Sequence, residues 1–468
     1  MFSNFIEYSN RVAVYSEDNS FVTYAELDLM VSEFEELLDA SELILILGSN
    51  DLETLVCYIA SIRKGVVALM LPSNLDQTFL QHLLLIYKPK YVWSQKNSML
   101  PIFPKTSEKY LSPKYTLHDS GINVNLPPSL ALLLTTSGST GNPKLVKISK
   151  KNLEANTASI LEILDIEPED RAITTMPINY SYGLSIINTH LQIGASLVMN
   201  NHSISSRDFW DYAKATKATS MGGVPFTYEM LGKFSSNFIS KTNLRKFTQA
   251  GGKLKKERVL EILDLIDELG GTFSIMYGQT EATARISVLT HELIKSNPES
   301  IGKAIPQGRI GIYDENGQEV TAPFQVGELR YFGPNVSIGY AENLNDLYNP
   351  DSNNGQLNTG DLGYMDSNGL YFISGRKNRF IKLFGIRTNL DDIEGSLNQE
   401  GFNCVCHQKN DRLLIFTTEA DKVQSINDFV RGKFKLPRDG FSILRIETIP
   451  RNESGKILYS ALLEEIEV

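Results

Sequence analysis

Residues 135–144 read Thr-Thr-Ser-Gly-Ser-Thr-Gly-Asn-Pro-Lys, and this stretch decides how the rest of the sequence is interpreted. It follows an apolar run, Leu130–Leu134, that is typical of a buried strand. Its glycines allow successive backbone N–H groups to turn towards one anion, its hydroxyls add donors, and Lys144 adds a positive charge. The loop can therefore cradle a polyphosphate. The alternative is a solvated strand-to-helix turn, which the same residue types favour.

The loop is not the P-loop of kinases and GTPases, because Gly138 and Gly141 are too close together for that pattern. Other motifs follow it in a fixed order along the chain. They are Tyr277-Gly278-Gln279-Thr280-Glu281, Gly327-Glu328-Leu329, Thr359-Gly360-Asp361, Gly375-Arg376, Lys382-Leu383-Phe384-Gly385 and Arg451-Asn452-Glu453-Ser454-Gly455-Lys456.

Together these motifs resemble those of the adenylate-forming superfamily, which are AMP-dependent synthetases and ligases. Its members include acyl-CoA synthetases, adenylation domains of peptide synthetases, D-alanine–carrier protein ligases and luciferases. The resemblance extends from about Phe21 to Leu462. It implies an enzyme that uses ATP and Mg²⁺ to activate an acid as its adenylate.

Composition is compatible with such an enzyme and excludes other classes. The 468 residues are too many for one core, and 42% hydrophobic with 21% charged residues is usual for a soluble globular protein. A net charge of −10 argues against a nucleic-acid surface. Three cysteines cannot form a disulfide framework, and Cys404-Val405-Cys406-His407 is better explained by core packing than by a metal site. No signal peptide or membrane-spanning segment is predicted, so we expect a cytoplasmic protein.

The order of apolar runs predicts an α/β fold with two domains. Strands alternate with helices up to about Tyr277, which indicates parallel sheets covered on both faces, with ligands beyond the strands' carboxyl ends. Thr23 and Glu26 are predicted to form a capping box at the start of a helix, and Arg171–Met176 is predicted to be a strand. Residues 94–128 are predicted to be an irregular connection. Short strands and hairpin turns over about 300–373 indicate a β-barrel-like subdomain. We therefore predict a large domain over 1–375 and a small α+β domain over 376–468; the resemblance implies that the large domain binds AMP and that the small domain is mobile.

The resemblance assigns the nucleotide site residue by residue. Tyr277 would stack on adenine, Thr280 would contact the α-phosphate or the acyl oxygen, and Glu281 would bind Mg²⁺. Asp361 and Arg376 would hold the ribose. The remaining ATP-binding candidates are Thr136, Ser137, Gly138, Ser139, Thr140, Gly141, Lys144, Gly251, Gly252, Gly278 and Gln279.

The resemblance also divides the catalytic work of the small domain between two steps. Lys456 would pair with the α-phosphate and the carboxylate during adenylation. Lys382 and Gly385 match positions that face the site after the domain rotates for thioester formation. The hinge position, normally Asp or Lys, is Asn378 here, which weakens that assignment. The acceptor would be the thiol of coenzyme A or of a carrier protein's phosphopantetheine, and because the chain ends twelve residues after Lys456, we expect another molecule to supply it.

The acid pocket is predicted to be lined by Tyr180, Ser181, Met221, Gly222 and Gly223. Amino-acid-activating members carry an aspartate where this chain has Ser181, and no acidic residue lies between 170 and 208. Because a buried ammonium without a carboxylate is costly, a plain carboxylic acid is favoured as substrate. Two alternatives remain: an amino-acid-adenylating enzyme that loads a carrier protein, and an inactive nucleotide-binding regulator.

Overall fold

The structure is a computed structural model of the whole chain. It describes residues 1–96, 98, 107–135, 144–234, 236–377, 379–383, 386–409, 412–434, 436, 440–451, 457–459 and 461–464. The chain forms two compact units. The first comprises residues 1–136, 142–310 and 331–357, and the second comprises residues 137–141, 311–330 and 358–468.

Two large sheets build the first unit. The bounds of their strands are β1 Val12–Tyr15, β2 Phe21–Thr23, β3 Leu43–Gly48, β4 Val67–Pro72, β5 Tyr91–Gln95, β6 Ser107–Leu111, β7 Tyr115–Asp119, β8 Leu130–Thr135, β9 Leu145–Ser149, β10 Arg171–Ile173, β11 Ser196–Val198, β12 Ser220–Gly223, β13 Lys246–Gln249, β14 Thr272–Tyr277, β15 Ser287–Leu289, β16 Lys303–Ala304 and β20 Gly339–Ala341. One sheet has the order β16-β15-β14-β13-β12-β10-β11-β1-β2, and the other has the order β20-β9-β8-β4-β3-β5-β7-β6. These orders, with parallel pairing from β10 to β14 and among β3, β4, β5 and β8, confirm the α/β class.

Ten helices belong to the described part of this unit. They are α1 Tyr24–Glu35, α2 Leu52–Lys64, α3 Gln77–Tyr87, α4 Lys150–Leu164, α5 Ser181–Gln192, α6 Arg207–Ala215, α7 Pro225–Phe234, α8 Ser236–Ile239, α9 Lys256–Glu268 and α10 His291–Ile294. Short 3-10 helices cover Phe5–Tyr8, Thr280–Ala282 and Leu344–Tyr348. The predicted capping box at the start of α1 is confirmed, since the side chains and backbone amides of Thr23 and Glu26 bond reciprocally.

The core of the first unit follows from the two-residue period of its strands. In β3, Ile44 and Ile46 face the large cluster that also contains α2 and α5, whereas Leu43, Leu45 and Leu47 face a second cluster with α3. Both faces of the sheet are thus covered, which explains the continuous apolar run in this strand. Helices α2 and α5 are buried along almost their whole length.

Two local predictions are wrong. Residues 107–119, predicted to be irregular, form the antiparallel pair β6 and β7, which extends the sheet beside β5. The alternation around the buried residues Tyr115 and Leu117 is that of a strand. The strand predicted over Arg171–Met176 ends at Ile173.

The strand β9 was not predicted, and it shows that a strand, not a helix, follows the Ser/Thr/Gly stretch. β9 pairs antiparallel with β8, so the chain leaves one strand at Thr135 and enters the neighbouring strand at Leu145. All five residues of β9 are buried, among them Lys147, whose ammonium donates to the backbone carbonyls of Asp346 and Asn349.

The second unit is α+β. It contains most of a five-stranded sheet in the order β18-β17-β19-β21-β22, with bounds β17 Arg309–Tyr313, β18 Glu319–Val320, β19 Gly327–Phe332, β21 Gln356–Met365 and β22 Tyr371–Arg376. The hairpins predicted at 314–317 and 366–369 are confirmed. The remaining elements are β23 Phe380–Leu383, β24 Ile386–Asn389, α11 Leu390–Gln399, β25 Cys404–Lys409, β26 Arg412–Thr417, a 3-10 helix at Ala420–Lys422, α12 Val423–Phe434, β27 Phe441–Arg445 and α13 Ala461–Glu464.

Cys404 and Cys406 lie on one face of β25 within the core of the second unit, which confirms the packing interpretation. The described residues contain no cluster of three metal-ligating side chains. In the same described ranges, no helix is long and apolar enough to cross a membrane.

Candidate active site

Four of the predicted site segments in the first unit lie at one edge of the nine-stranded sheet. Strands β10, β12, β13 and β14 are consecutive and parallel, so their carboxyl ends share that edge. The segments that leave this edge carry Tyr180 and Ser181, Gly222 and Gly223, Gly251 and Gly252, and the run from Tyr277 to Glu281. This is the place where open α/β sheets bind ligands, and the fold therefore brings together four of the predicted segments.

A tight loop after β14 fixes the Thr280–Glu281 segment. Gly278 is required there, because a Cβ atom at this position would lie 1.7 Å from the carbonyl oxygen of Ala284. Ala284 itself has φ of +110°, an uncommon value for a residue with a side chain. The Asn335 amide holds the loop from outside, since it donates to the carbonyl oxygens of Ala282 at 2.7 Å and Arg285 at 2.8 Å. Strain secured by surrounding bonds in this way is typical of functional sites.

Tyr340, which the sequence analysis did not identify, contacts both Lys144 and Glu281. The ammonium of Lys144 lies 3.9 Å from the centre of the Tyr340 ring, and the Tyr340 hydroxyl donates to Glu281 Oε1 at 2.8 Å. Burial, together with the charge of Glu281, raises the pKa of the Tyr340 phenol, so it stays a donor at neutral pH. Tyr340 reaches this position because β20 pairs with β9, immediately after Lys144. Tyr340 therefore contacts the ammonium of Lys144 with its ring and the carboxylate of Glu281 with its hydroxyl group.

Thr280 also contacts the predicted acid pocket. Its hydroxyl oxygen lies 3.4 Å from that of Ser181, at the start of α5. Gly251 lies beside the neighbouring residue Tyr180: it has φ of +84°, and a Cβ atom there would lie 2.9 Å from the Tyr180 hydroxyl. The Gln249 amide secures this glycine loop by donating to the carbonyl oxygen of Gly252 at 2.9 Å. Tyr180, Ser181, Gly251 and Thr280 thus belong to one compact corner.

Met221 and Gly222 line a cavity of about 560 Å³, solvent at its mouth included, between the sheet and helices α4 and α5. Gly223 lies beside it, and its N–H donates to the Tyr182 hydroxyl at 3.2 Å. Arg285, which no sequence motif identified, also lines this cavity. Two of the five predicted acid-pocket residues therefore line this cavity.

The predicted ribose-binding pair belongs to the second unit. Asp361 and Arg376 face each other across β21 and β22, and Arg376 Nε donates to Asp361 Oδ1 at 3.1 Å. The Asp361 side chain is 4% exposed, whereas that of Arg376 is 47% exposed. Neighbouring Lys377 forms an ion pair with Glu328 at 3.1 Å. The guanidinium thus orients the carboxylate of Asp361.

A second polar cluster in this unit consists of Arg379, Glu394 and Tyr459, and Tyr459 follows the C-terminal motif. Arg379 binds Glu394 at 2.8 Å and lies 3.9 Å from the centre of the Tyr459 ring. The Tyr459 hydroxyl donates to the other oxygen of Glu394 at 3.0 Å. Burial raises the pKa of the Glu394 carboxyl. These contacts fix Tyr459, three residues after Lys456.

Several predicted residues lie outside those that the structure describes. They are Thr136, Ser137, Gly138, Ser139, Thr140, Gly141, Asn378, Gly385 and Lys456. Lys382 is described as part of β23, where it pairs with Arg387 of β24. The roles assigned to all of them remain predictions.

Comparison with known proteins places the chain in a family. The model of a family described as AMP-binding enzymes matches residues 3–341. The chain belongs to the AMP-binding enzyme family. The match spans the Ser/Thr/Gly stretch, the loop after β14 and Tyr340.

Curated relatives of this AMP-binding enzyme include ligases of two kinds. A D-alanine–D-alanyl carrier protein ligase of Listeria innocua is 29% identical over 311 residues, which are 64% of this chain and 60% of the relative. An indoleacetate–CoA ligase of Aromatoleum aromaticum is 25% identical over 482 residues, 93% of this chain and 91% of the relative. The chain thus aligns with about 60% of the length of the first ligase.

The o-succinylbenzoate CoA synthetase of Bacillus subtilis shares the fold. Its complex with the acyl-adenylate intermediate has a TM-score of 0.79 at 21% identity, and covers 98% of this chain and 97% of its own. Its complex with ATP and magnesium has a TM-score of 0.76 at 22% identity, with 97% and 96% covered.

A substitution at Tyr340 tests whether its hydrogen bond to Glu281 supports catalysis by this AMP-binding enzyme. Tyr340→Phe keeps the ring beside Lys144 but removes the donor to Glu281. Since a hydrogen bond to a charged group contributes about 1.5–3 kcal/mol, we expect turnover to fall roughly tenfold to a hundredfold, with a higher Mg²⁺ requirement. Steady-state rates at varied Mg²⁺ measure both. Tyr87→Phe is the control, because it removes a buried bond to the carbonyl oxygen of Ala341, one residue away. Equal losses in both variants would contradict a role through Glu281.

The pair of Asp361 and Arg376 allows a second test. Ribose contacts are made about equally in ground and transition states, so Asp361→Ala should raise the KM for ATP roughly tenfold to a hundredfold with little change in kcat. Glu328→Ala, which breaks the neighbouring ion pair with Lys377, should leave the KM for ATP unchanged. A collapse of kcat at saturating ATP, with KM unaltered, would be inconsistent with ribose binding.

Proposed function

We propose that this chain is an ATP-dependent acid–thiol ligase. In the first step a carboxylate oxygen of the substrate attacks the α-phosphorus of ATP, an O–P bond forms, and pyrophosphate leaves. In the second step a thiolate attacks the acyl carbon, a C–S bond forms, and AMP leaves. Both steps depend on positioning and charge neutralisation more than on covalent chemistry by the protein.

The observation that carries this proposal is the arrangement of Lys144, Tyr340 and Glu281, the last of which follows the carboxyl end of β14. A lysine suits the terminal phosphates of ATP, and a fixed carboxylate suits the cation that accompanies them. Thr280, adjacent to Glu281 and within 3.4 Å of Ser181, is positioned to contact the acyl-phosphate junction. Adenylation needs three functions: binding of the terminal phosphates, binding of the cation and contact with the acyl-phosphate junction. Neighbouring side chains thereby support all three.

The donor set fits Mg²⁺ in this role. No three described His, Cys, Asp or Glu side chains form a metal cage, so Glu281 would be a single carboxylate ligand. Mg²⁺ is usually held by one or two carboxylates together with substrate phosphates and waters. When bound, the ion would neutralise phosphate charge, and the chain's own part is to hold Glu281 in place through Tyr340.

The two relatives favour two thiol acceptors, coenzyme A and a carrier protein's phosphopantetheine. For either acceptor we propose that the small domain over 376–468 rotates about Asn378 between the steps. Lys456 would then serve adenylation, and Lys382 and Gly385 would face the pantetheine arm. Cytoplasmic location, where both acceptors and ATP are present, is part of the proposal and is supported by three free buried cysteines.

For the substrate we propose a carboxylic acid without an α-ammonium. Ser181 occupies the position predicted for an ammonium-binding aspartate, and residues 171–207 contain no carboxylate. The similarity to D-alanine ligases favours the second candidate, an amino-acid-adenylating enzyme that loads a carrier protein. The two candidates differ in one measurable property, the tolerance of an ammonium beside the reacting carboxylate.

Pyrophosphate release over a panel of carboxylic and amino acids tests the proposal. We expect simple acids to be activated in preference to α-amino acids by on the order of 10⁴-fold in kcat/KM, because the ammonium of an amino acid would be buried without a carboxylate to pair with it. Hydroxylamine trapping detects the adenylate, and thioester formation in separate reactions without hydroxylamine, with coenzyme A or with a carrier protein bearing a free phosphopantetheine thiol, identifies the acceptor. A wide preference for D- or L-alanine would support the second candidate. ATP binding without pyrophosphate release for any acid would indicate a regulator and overturn the proposal.

A further inference from the structure

The cavity lined by Met221 and Gly222 contains a buried guanidinium that the proposed chemistry leaves unused. Arg285 is 2% exposed, and it follows Glu281 by four residues, at the end of the tight loop after β14. Two neighbouring side chains hold the guanidinium in place. The Nε atom donates to the sulfur of Met276 at 3.1 Å, and the guanidinium carbon lies 4.1 Å from the centre of the Tyr182 ring.

No anion balances this cation within the described part of the chain. The titratable groups that act on its charge are the phenols of Tyr182 and Tyr180, and burial lowers the pKa of the guanidinium. An arginine nevertheless stays protonated in proteins. A buried charge without a partner is costly, and that cost is reduced when an opposite charge enters. Among the residues that the structure describes, none accepts a hydrogen bond from the terminal nitrogens of Arg285, whose side chain borders the cavity.

The other walls of the cavity indicate what could lie next to Arg285. Ile160, Leu164, Ile186 and Phe247 supply apolar surface along it. At its far end Asp170 and Lys246 form an ion pair with each other at 2.7 Å, so the aspartate is already neutralised. A ligand that fits these walls has an apolar body and a planar anionic group for the guanidinium fork.

We propose that Arg285 binds a second anionic group of the substrate, so that the acid activated is a dicarboxylic acid with an apolar spacer. This inference rests on the proposed function and specifies its substrate class. One carboxylate reacts beside Thr280 and Ser181, and the other forms a bidentate pair with Arg285. The same buried cation repels a substrate ammonium, which agrees with the absence of a carboxylate from residues 171–207.

The test compares acids that differ only in the second carboxylate: butyrate with succinate, hexanoate with adipate, and benzoate with terephthalate. Pyrophosphate release is measured with Mg²⁺ in excess of all chelating anions. We expect the better diacids to exceed their monoacid partners by about a hundredfold or more in kcat/KM, because the analogue without the anion leaves Arg285 unpaired. Monoacids that equal or exceed all their diacid partners would overturn the inference and leave the proposed ligase activity standing.

Variants separate recognition from a structural role. Arg285→Leu should lower kcat/KM for diacids about a hundredfold and raise it for monoacids, and Arg285→Lys should retain part of the diacid preference. Arg207→Leu, which removes an exposed arginine paired with Asp211, is the matched control and should change neither. A structural role predicts equal losses for both kinds of acid in Arg285→Leu, and that result would contradict the proposal.

A binding measurement decides the question if no acid supports pyrophosphate release. The melting temperature of the full chain is measured with adipate or hexanoate, without nucleotide, since a ligand that binds only the folded state raises it. A shift with adipate that Arg285→Leu abolishes supports the anion site even though the ligase activity has failed. Equal shifts in both proteins, or none in either, overturn it.

Discussion

Replacing Lys456 by alanine should lower the rate of adenylate formation on the order of a thousandfold. In the proposed mechanism its ammonium lies beside the charge that develops between the carboxylate and the α-phosphate. A unit charge about 4 Å from an anion contributes roughly 4 kcal/mol at an effective dielectric constant near 20, and each 1.36 kcal/mol is about tenfold in rate. Pyrophosphate release in single turnovers, at saturating ATP and acid, measures this step directly.

The same variant should form thioester from a supplied acyl-adenylate at nearly the normal rate. The phosphoryl charge has already been redistributed in that reactant, so the lysine is not needed for the second step. Lys422→Ala is a matched control, because Lys422 also lies in the small domain but is paired with Glu419 at 2.7 Å. Equal loss of both steps in Lys456→Ala would show that the residue supports the structure of the domain or serves both reactions.

Much of the first unit was predictable because its elements are strongly patterned. The apolar run of β3 faces a core on both sides. The capping box at the start of α1 lies within four consecutive residues, so the local sequence is enough to predict it. The parallel strand ends then place the predicted segments at one edge of a sheet. Local signals and one topological rule were sufficient for that part of the site.

Tyr340 and Arg285 could not be found by the same reasoning. Tyr340 lies in a three-residue strand, and its bond to Glu281 spans 59 residues of sequence, so no local pattern connects the two. An arginine after a charged motif is ordinarily expected on the surface, and its burial becomes evident only when Tyr182 and the cavity are placed around it.

The missed strand β9 shows how composition can conceal pairing. Its sequence, Leu-Val-Lys-Ile-Ser, contains a lysine that would normally mark an exposed position. Lys147 is instead buried, because two backbone carbonyls accept bonds from its ammonium at 2.9 Å. These acceptors lie about 200 residues away along the chain. Satisfying a buried charge thus depended on a long-range contact that the local sequence does not encode.

Replacing Gly385 by leucine should produce the opposite defect to Lys456→Ala. In the proposed cycle Gly385 lets the backbone approach the pantetheine arm, and four added side-chain carbons would block that path. We therefore expect thioester formation from a supplied acyl-adenylate to fall at least about a hundredfold, as for a large steric misplacement of the reacting groups. Pyrophosphate release from ATP and acid should stay within a few-fold of normal.

Opposite defects from two residues of the same unit would distinguish a rotating domain from a fixed site. Both residues lie in the proposed small domain over 376–468, whose described residues include a hydrophobic core of their own. One rigid body can present two different surfaces to the same reactants only by turning about a few backbone torsions between the steps. A fixed site predicts that each variant slows both steps, since its residues act on the reactants together. Gly385→Ala supplies the graded control: one added carbon should slow thioester formation less than leucine does, and an equal loss with alanine would point to backbone strain at residue 385 and away from obstruction of the thiol.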